Sequence, residues 1–405
     1  MKIFFSFAIV LLIGWESHIV ADDWTQFRGA GGVSVSNSAV PTKFDDQQNI
    51  AWKTELPGKG ASGPIVVDNQ VIVTSSDGAE QDQLFVQSID VLTGKIKWTQ
   101  KLWATGRCYC HELSANAAPT PASDGKQIYA FFSSNDLACL DLAGNLVWYR
   151  GLAVDHPKAG NDVGMASSPI VHAGVVVVQV ECQGDSFAMG LNATDGTTLW
   201  TVPRSKEAVW TSPLLLTSNT APAMVVLQAN AGFDVLDIKT GKTVFKQTGE
   251  CSSISSAAVE NGRLYVPLDG TTAFAITAEG GFEKIWNSSA LRPSSASGVV
   301  YGNQVYALNG AGVLTAYRTS DGVPGEKLRV CEPRSIWSTP VVAADHMYLF
   351  TQNGKSHVVQ LGAKPTVVHE HDFGADEVFL GSPAISNQAL YVRSNKYLYK
   401  IAETK

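Results

Sequence analysis

Short apolar runs, each introduced by a small residue next to proline or alanine, recur along almost the whole chain. They open at Ser62-Gly-Pro-Ile-Val-Val-Val67, Ala117-Ala-Pro-Thr-Pro121, Ser167-Ser-Pro-Ile-Val171, Thr211-Ser-Pro-Leu-Leu-Leu216, Ser255-Ser-Ala-Ala-Val259, Ser295-Ala-Ser-Gly-Val-Val300, Ser338-Thr-Pro-Val-Val342 and Gly381-Ser-Pro-Ala-Ile385. The eight openings lie 40 to 55 residues apart. After each comes a turn rich in Asp, Asn or Gly, such as Asp68-Asn69 or Glu260-Asn-Gly262, and then a second β-branched and aromatic run. Val71-Ile-Val-Thr74, Ile128-Tyr-Ala-Phe-Phe132 and Met347-Tyr-Leu-Phe350 are examples. Third runs such as Leu84-Phe-Val-Gln-Ser-Ile89 follow, and each unit ends on a fourth run that carries an aromatic residue. Runs this short, bounded by turn residues and lacking a 3.6-residue period, predict strands.

Three or four strands repeated eight times at this spacing predict an all-β ring, an eight-bladed β-propeller with four-stranded blades. The last unit, Gly381 to Ala402, has room for three strands. Asn49-Ile-Ala-Trp-Lys-Thr-Glu-Leu56 looks like the missing fourth, the counterpart of Leu146-Val-Trp-Tyr149. The N- and C-terminal strands are therefore expected to share the closing blade, which leaves no open sheet edge at the seam. The expected organisation is a signal peptide over residues 1–21, an extension or cap over 22–48 and the propeller over 49–405.

The turn between third and fourth strands carries the most specific pattern. Asp90-Val-Leu-Thr-Gly-Lys-Ile-Lys-Trp98 reads D-x-x-T-G-x-x-x-W, and Asn192-Ala-Thr-Asp-Gly-Thr-Thr-Leu-Trp200 is a close variant. Asp237-Ile-Lys-Thr-Gly-Lys-Thr-Val-Phe245 ends in Phe, Asp141-Leu-Ala-Gly-Asn-Leu-Val-Trp148 is one residue shorter, and the turn ending at Trp286 is looser. In such a turn Gly admits positive φ and Asp or Asn binds the turn amides. This pattern resembles the quinoprotein repeat, and nearly the whole chain after the leader is similar to the PQQ-like β-propeller superfamily. That superfamily holds quinoprotein alcohol dehydrogenases and BamB-type scaffolds. The opening Asp23-Trp24-Thr-Gln-Phe-Arg-Gly29 resembles secreted members of planctomycete type. The resemblance implies that Trp52, Trp98, Trp148, Trp200, Phe245 and Trp286 dock each blade on its neighbour, and that Trp24, Phe27 and Arg28 cap the ring.

Charge and composition narrow the function. The chain has 405 residues, 17% of them charged, and a net charge of −7 without a basic block, which speaks against nucleic acid as a partner. Lys2 followed by the apolar run Ile3–Ile13 and by Ile19-Val-Ala21 reads as an export signal, too short for a bilayer span. The expected location is secreted or periplasmic, with no transmembrane segment after signal removal. Six cysteines, Cys108, Cys110, Cys139, Cys182, Cys251 and Cys331, are scattered over several repeats. Buried free thiols with at most a bridge are expected.

The resemblance raises a quinone-dependent dehydrogenase, which would need Ca²⁺ held by carboxylate and amide oxygens, an Asp base and often vicinal cysteines. Cys108-Tyr-Cys110 is not vicinal, and no acidic and amide cluster can be assigned to the metal. No catalytic residue is named and no cofactor is expected, PQQ with Ca²⁺ being the alternative. Cys108, Cys110 and His111 are weak metal candidates lacking a fourth ligand. His369 and His371 flank Glu370 on what reads as a solvated edge. Binding residues are expected in the loops leading to each inner strand. These contain Arg107, His111, Glu112 and Asn116; Asp162 and Met165; Glu207 and Trp210; Ser252 and Ser253; Arg292; Arg334 and Trp337; and Glu377. Arg292 and Arg334 head that set, and the expectation is a polar funnel. The expected role is a monomeric binding or scaffolding module for a protein, peptide or glycan, with the dehydrogenase and a carbohydrate-binding surface module as alternatives.

Overall fold

A computed structural model describes residues 23–160, 163–218, 221–277 and 280–404. The expected leader and Asp162 fall outside them. The described residues form eight antiparallel sheets arranged as the blades of one propeller. Blade 1 runs Ile65–Val67, Gln70–Asp77, Gln83–Asp90 and Ile96–Trp103 from the inside outwards. Blades 2 to 6 open on Ala122–Ser123, Ile170–His172, Leu214–Leu216, Ala258–Glu260 and Val299–Tyr301. Their outer strands are Leu146–Gly151, Thr198–Pro203, Thr243–Thr248, Phe282–Ser288 and Pro324–Arg329. Blade 7 runs from Val341–Ala343 to Thr366–Asp372 and gains a fifth strand, Val35–Ser36, which pairs parallel to the inner one. Blade 8 holds Ala384–Ser386, Ala389–Arg393 and Tyr397–Ile401, and Ile50–Glu55 pairs antiparallel with Tyr397–Ile401 as its outer strand. The two ends of the chain thus share a sheet.

Burial follows position within the blade. The second strand of blade 3, Val175–Val180, is buried throughout because neighbouring blades cover both of its faces. Outer strands alternate: Ile50–Glu55 and Thr366–Asp372 place every second residue in solvent.

Blade-to-blade docking runs in one direction around the ring. The indole Nε1 of Trp98 donates to the Leu142 carbonyl of blade 2 at 3.1 Å, that of Trp148 to Ala193 at 2.9 Å and that of Trp200 to Ile238 at 2.9 Å. Trp286 donates to Thr319 at 2.9 Å, and Trp52 of blade 8 returns to Val91 of blade 1 at 3.2 Å. Each outer-strand pairing contains a register shift, and in the Trp- and Phe-bearing blades it falls beside the aromatic residue. Such a bulge re-aims a side chain out of its own sheet. Phe245 has no N–H and packs instead on Phe282 with ring centroids 4.9 Å apart. In blade 7 His369 pairs with Val358 beside the shift and turns to Phe44, its Nε2 2.7 Å from the Phe44 carbonyl oxygen.

The segment before blade 8 closes one end of the channel. Trp24 exchanges backbone hydrogen bonds with Val66 of blade 1, and Ser123 of blade 2 donates to Thr25. The Arg28 guanidinium reaches across the axis to the carbonyls of Ala257, at 2.6 Å, and Gly298, at 2.9 Å, at the inner strands of blades 5 and 6. Gly32 packs against Leu214 of blade 4, and Val35 pairs with Val342 of blade 7. One continuous stretch therefore touches blades around most of the ring.

Candidate functional site

The channel is a well of about 360 Å³, and Phe27 of the closing segment contributes to its lining. Its walls come from the chain just before each inner strand. That backbone is extended, so side chains alternate. The residues directly before the turn proline, or the alanine or glycine in its place, are Gly63, Thr120, Ser168, Ser212, Ser256, Ser297, Thr339 and Ser382, and all eight face the well. Two positions earlier stand Ala61, Ala118, Ala166, Trp210, Ile254, Ser295, Trp337 and Leu380, which also face it. The residues between them, among them Ser62, Ser167, Thr211 and Ser338, are buried between blades.

The inner column forms a relay. The Gly63 N–H donates to Thr120 Oγ1 at 2.9 Å, and the Thr120 N–H to Ser168 Oγ at 3.0 Å. Ser168 donates to Ser212 at 2.9 Å, Ser212 to Ser256 at 3.1 Å and Ser256 to Ser297 at 3.0 Å. Ser297 donates to Thr339 at 3.2 Å and Thr339 to Ser382 at 2.9 Å. Hydroxyls thus tie blade 1 to blade 8 the long way round. At the remaining step Gly63 offers no acceptor, and a side chain there would collide with the Ser382 carbonyl.

The outer column and two insertions shape the open mouth. Blades 1 to 3 contribute only alanine in that column. His111, Leu113 and Ser114, from the long connection between blades 1 and 2, and Val163 lie over them. Trp210, Ile254, Trp337 and Leu380 complete the rim. Trp337 and Leu113 are 43% and 48% exposed, whereas the Trp210 Nε1 is anchored on the Gly164 carbonyl at 2.8 Å. No Asp, Glu, Lys or Arg stands among the described lining residues.

Of the candidates read from sequence, His111, Trp210 and Trp337 therefore line the well. Arg107, Glu112, Glu207, Arg292 and Arg334 are exposed and outside the lining, so the expected polar funnel is replaced by a hydroxyl floor under an apolar rim. Arg107 lies over the Tyr109 ring, and Arg292 Nε donates to the Ser289 carbonyl at 3.0 Å. Asn116 is buried; its amide donates to the Gln81 carbonyl of blade 1 at 3.1 Å and accepts the Ser134 N–H of blade 2 at 2.8 Å, which pins the end of the insertion to both blades. Met165 and Glu377 are buried, and Ser252 Oγ caps the turn amides of Ile254 and Ser255. The sequence reading missed Thr120, Ser168, Ser212, Ser256, Ser297, Thr339 and Ser382. Superposing the eight openings on their prolines would have exposed that column.

The remaining reactive groups are quiet. All six cysteines are free thiols; burial pushes the Cys108 thiol up to about 11 and raises Cys110 as well, which keeps both protonated. Among the described residues no three or more His, Cys, Asp or Glu side chains come together in an arrangement that could hold a metal ion. His357 forms a 2.8 Å contact with Glu370, and burial holds its pKa below the usual value.

The repeat architecture narrows the comparison to propellers, and the family model described as outer membrane protein assembly factor BamB matches residues 30–189 and 185–404. The chain belongs to the BamB family. BamB of Yersinia pestis is 23% identical over 336 residues, covering 80% of this chain and 70% of that protein. The crystal structure of BamB from Moraxella catarrhalis superposes with a TM-score of 0.63 at 17% identity, over 86% of this chain and 95% of that one. Quinohemoprotein alcohol dehydrogenase from Comamonas testosteroni superposes with a TM-score of 0.70 at 12% identity, over 95% of this chain and 81% of that one. At these identities BamB and the dehydrogenase establish the shared fold and nothing more. Among the described residues no helix is long and apolar enough to cross a membrane.

Proposed function

We propose that this BamB-family chain is a non-catalytic binding propeller of the cell envelope, exported by its leader, that holds a segment of a partner protein at the open mouth of its channel. The observation that carries this reading is the mouth itself. Leu113, Val163 and Trp337 expose large apolar surface around a concave opening whose other end is closed. Apolar concavities on an otherwise polar surface are where ligands gain most from desolvation. Membership of a family whose relatives are named outer membrane assembly factors favours a polypeptide as the ligand. The quinone reading is disfavoured by the donor set. Ca²⁺ takes six to eight hard oxygens, usually with carboxylates among them, and the described lining offers hydroxyls, aromatic rings and no carboxylate.

The test is a fluorescence titration of the mature protein with a ten-residue peptide of alternating apolar and polar residues, alongside an all-polar peptide of equal length. A saturable change in tryptophan emission with the alternating peptide, lost in Trp337→Ala, is expected. Equal responses to both peptides, or dye reduction on adding PQQ and Ca²⁺, would overturn the reading.

A further inference from the structure

The floor of the well has unspent hydrogen-bonding capacity. Each of its seven hydroxyls accepts an N–H from the preceding blade, yet among the described residues none donates its own proton. All seven side chains are at least nine-tenths buried and all line the same cavity. Accepting an N–H strengthens a hydroxyl as a donor, and these protons face the cavity.

A second, independent feature adjoins the ring. The protein buries two guanidinium groups with no carboxylate partner among the described residues, and both adjoin the ring. Arg28 bonds to the carbonyls of Ala257 and Gly298, each the residue directly after a ring hydroxyl, Ser256 and Ser297. Arg393 donates to Ser62 Oγ at 3.1 Å, to Ser75 Oγ at 3.0 Å and to the Thr74 carbonyl, and Ser62 directly precedes Gly63. Both arginines are fully sequestered, and burial lowers their pKa values to about 10 and about 9, so both remain charged at neutral pH. The described walls of the well hold no acidic side chain to neutralise this charge.

We propose that the floor of the channel is a carboxylate receptor, a ring of seven hydroxyl donors adjoined by two buried cations that have no carboxylate partner among the described residues. The ligand chemistry is an acceptor-only anion whose oxygens take the ring protons. Under the proposed function, on which this step rests, that carboxylate is the free C-terminus of the partner chain. It descends to the hydroxyls while the last apolar side chains rest against Trp210, Ile254 and Trp337. No charged side chain enters the well, so the ligand is fixed by hydrogen bonds and a distributed positive field.

The experiment is calorimetric titration of the mature protein with an N-acetylated pentapeptide apolar at its last three positions, prepared as the free acid and as the C-terminal amide. Sodium acetate at constant ionic strength is the third arm. The acid is expected to bind about ten-fold more tightly than the amide, the net worth of about one charge-assisted hydrogen bond. Thr339→Val conserves volume and removes one donor, together with the acceptor of the Ser297 N–H; it is expected to narrow that ratio roughly three-fold. Ser256→Ala is the second variant should Thr339→Val unfold, and the acid-to-amide ratio in the unsubstituted protein needs neither. Acid and amide binding equally would overturn the receptor and leave peptide binding intact. Acetate binding with no response to either peptide would keep the hydroxyl chemistry and overturn the chain terminus as its source. No binding in any arm would overturn both.

Discussion

Trp200 and Gly241 allow the docking logic to be tested as a coupled pair. Trp200 is 7% exposed, donates to the Ile238 carbonyl and lays its indole on Gly241, where φ is 67°. A Cβ at Gly241 would stand 2.6 Å from the indole. Trp200→Ala removes a buried aromatic side chain and its hydrogen bond, at a cost of about 4 kcal/mol. Gly241→Ala faces two penalties: positive φ, about 1 kcal/mol, and the collision, about 2 kcal/mol more. In the Trp200→Ala background the second penalty disappears, so the double variant should be about 2 kcal/mol more stable than the additive sum. Trp200→Phe keeps the apolar contact as Phe245 does one blade later, and should cost only about 1 to 2 kcal/mol. Urea unfolding followed by circular dichroism reads all four variants, with shifts in midpoint compared at a common slope. If Gly241→Ala costs the same in both backgrounds, the indole does not seat on that glycine and blade 3 does not dock on blade 4 through this contact.

Three further outcomes follow from other parts of the molecule. Arg393→Met strips three hydrogen-bond partners of their donor at the junction of blades 8 and 1; a loss of about 3 kcal/mol and faster proteolysis near the junction are expected, and unchanged protease resistance would contradict it. Burial depresses the pKa values of His357 and His371, so their contribution is complete above 6.5 and falls as pH drops through that value towards the folded pKa values; a thermal-melt series should show this loss, and His357→Gln should flatten it. Native protein should react with a thiol reagent slowly and at Cys108 and Cys110 alone, and at all six cysteines once unfolded, whereas fewer than six on unfolding would reveal a disulfide.

The fold was largely legible because its determinants are local and repeated. The eight small-residue openings each precede an observed inner strand, and Asn49–Leu56 contains the observed Ile50–Glu55 that completes blade 8. A strand that pairs across the whole length of the chain could be recognised because its Trp52 matches Trp148 in kind and position. The fifth strand Val35–Ser36 could not, since two residues carry no period and its parallel partner lies some three hundred positions away. The site was harder to read. Charge in a loop marks a binding mouth in the sequence and favours Arg292 and Arg334, yet both are exposed outside the lining. The wall is instead set by the alternation of an extended backbone, which selects the residue before each proline and the one two before it. Serine and threonine there look like ordinary turn residues until they are aligned. Nor does any local signal tell that Arg28 spans the axis to carbonyls on blades 5 and 6.

The proposed function requires the open mouth to be the surface that engages another polypeptide. Placing a photoreactive amino acid at Leu113 or Trp337, both on the exposed rim, and at Val244, exposed on the outer strand of blade 4, tests this in living cells. One discrete adduct shared by the two rim positions and absent from Val244 is the expected result. Adducts at Val244 with none at the rim would contradict it.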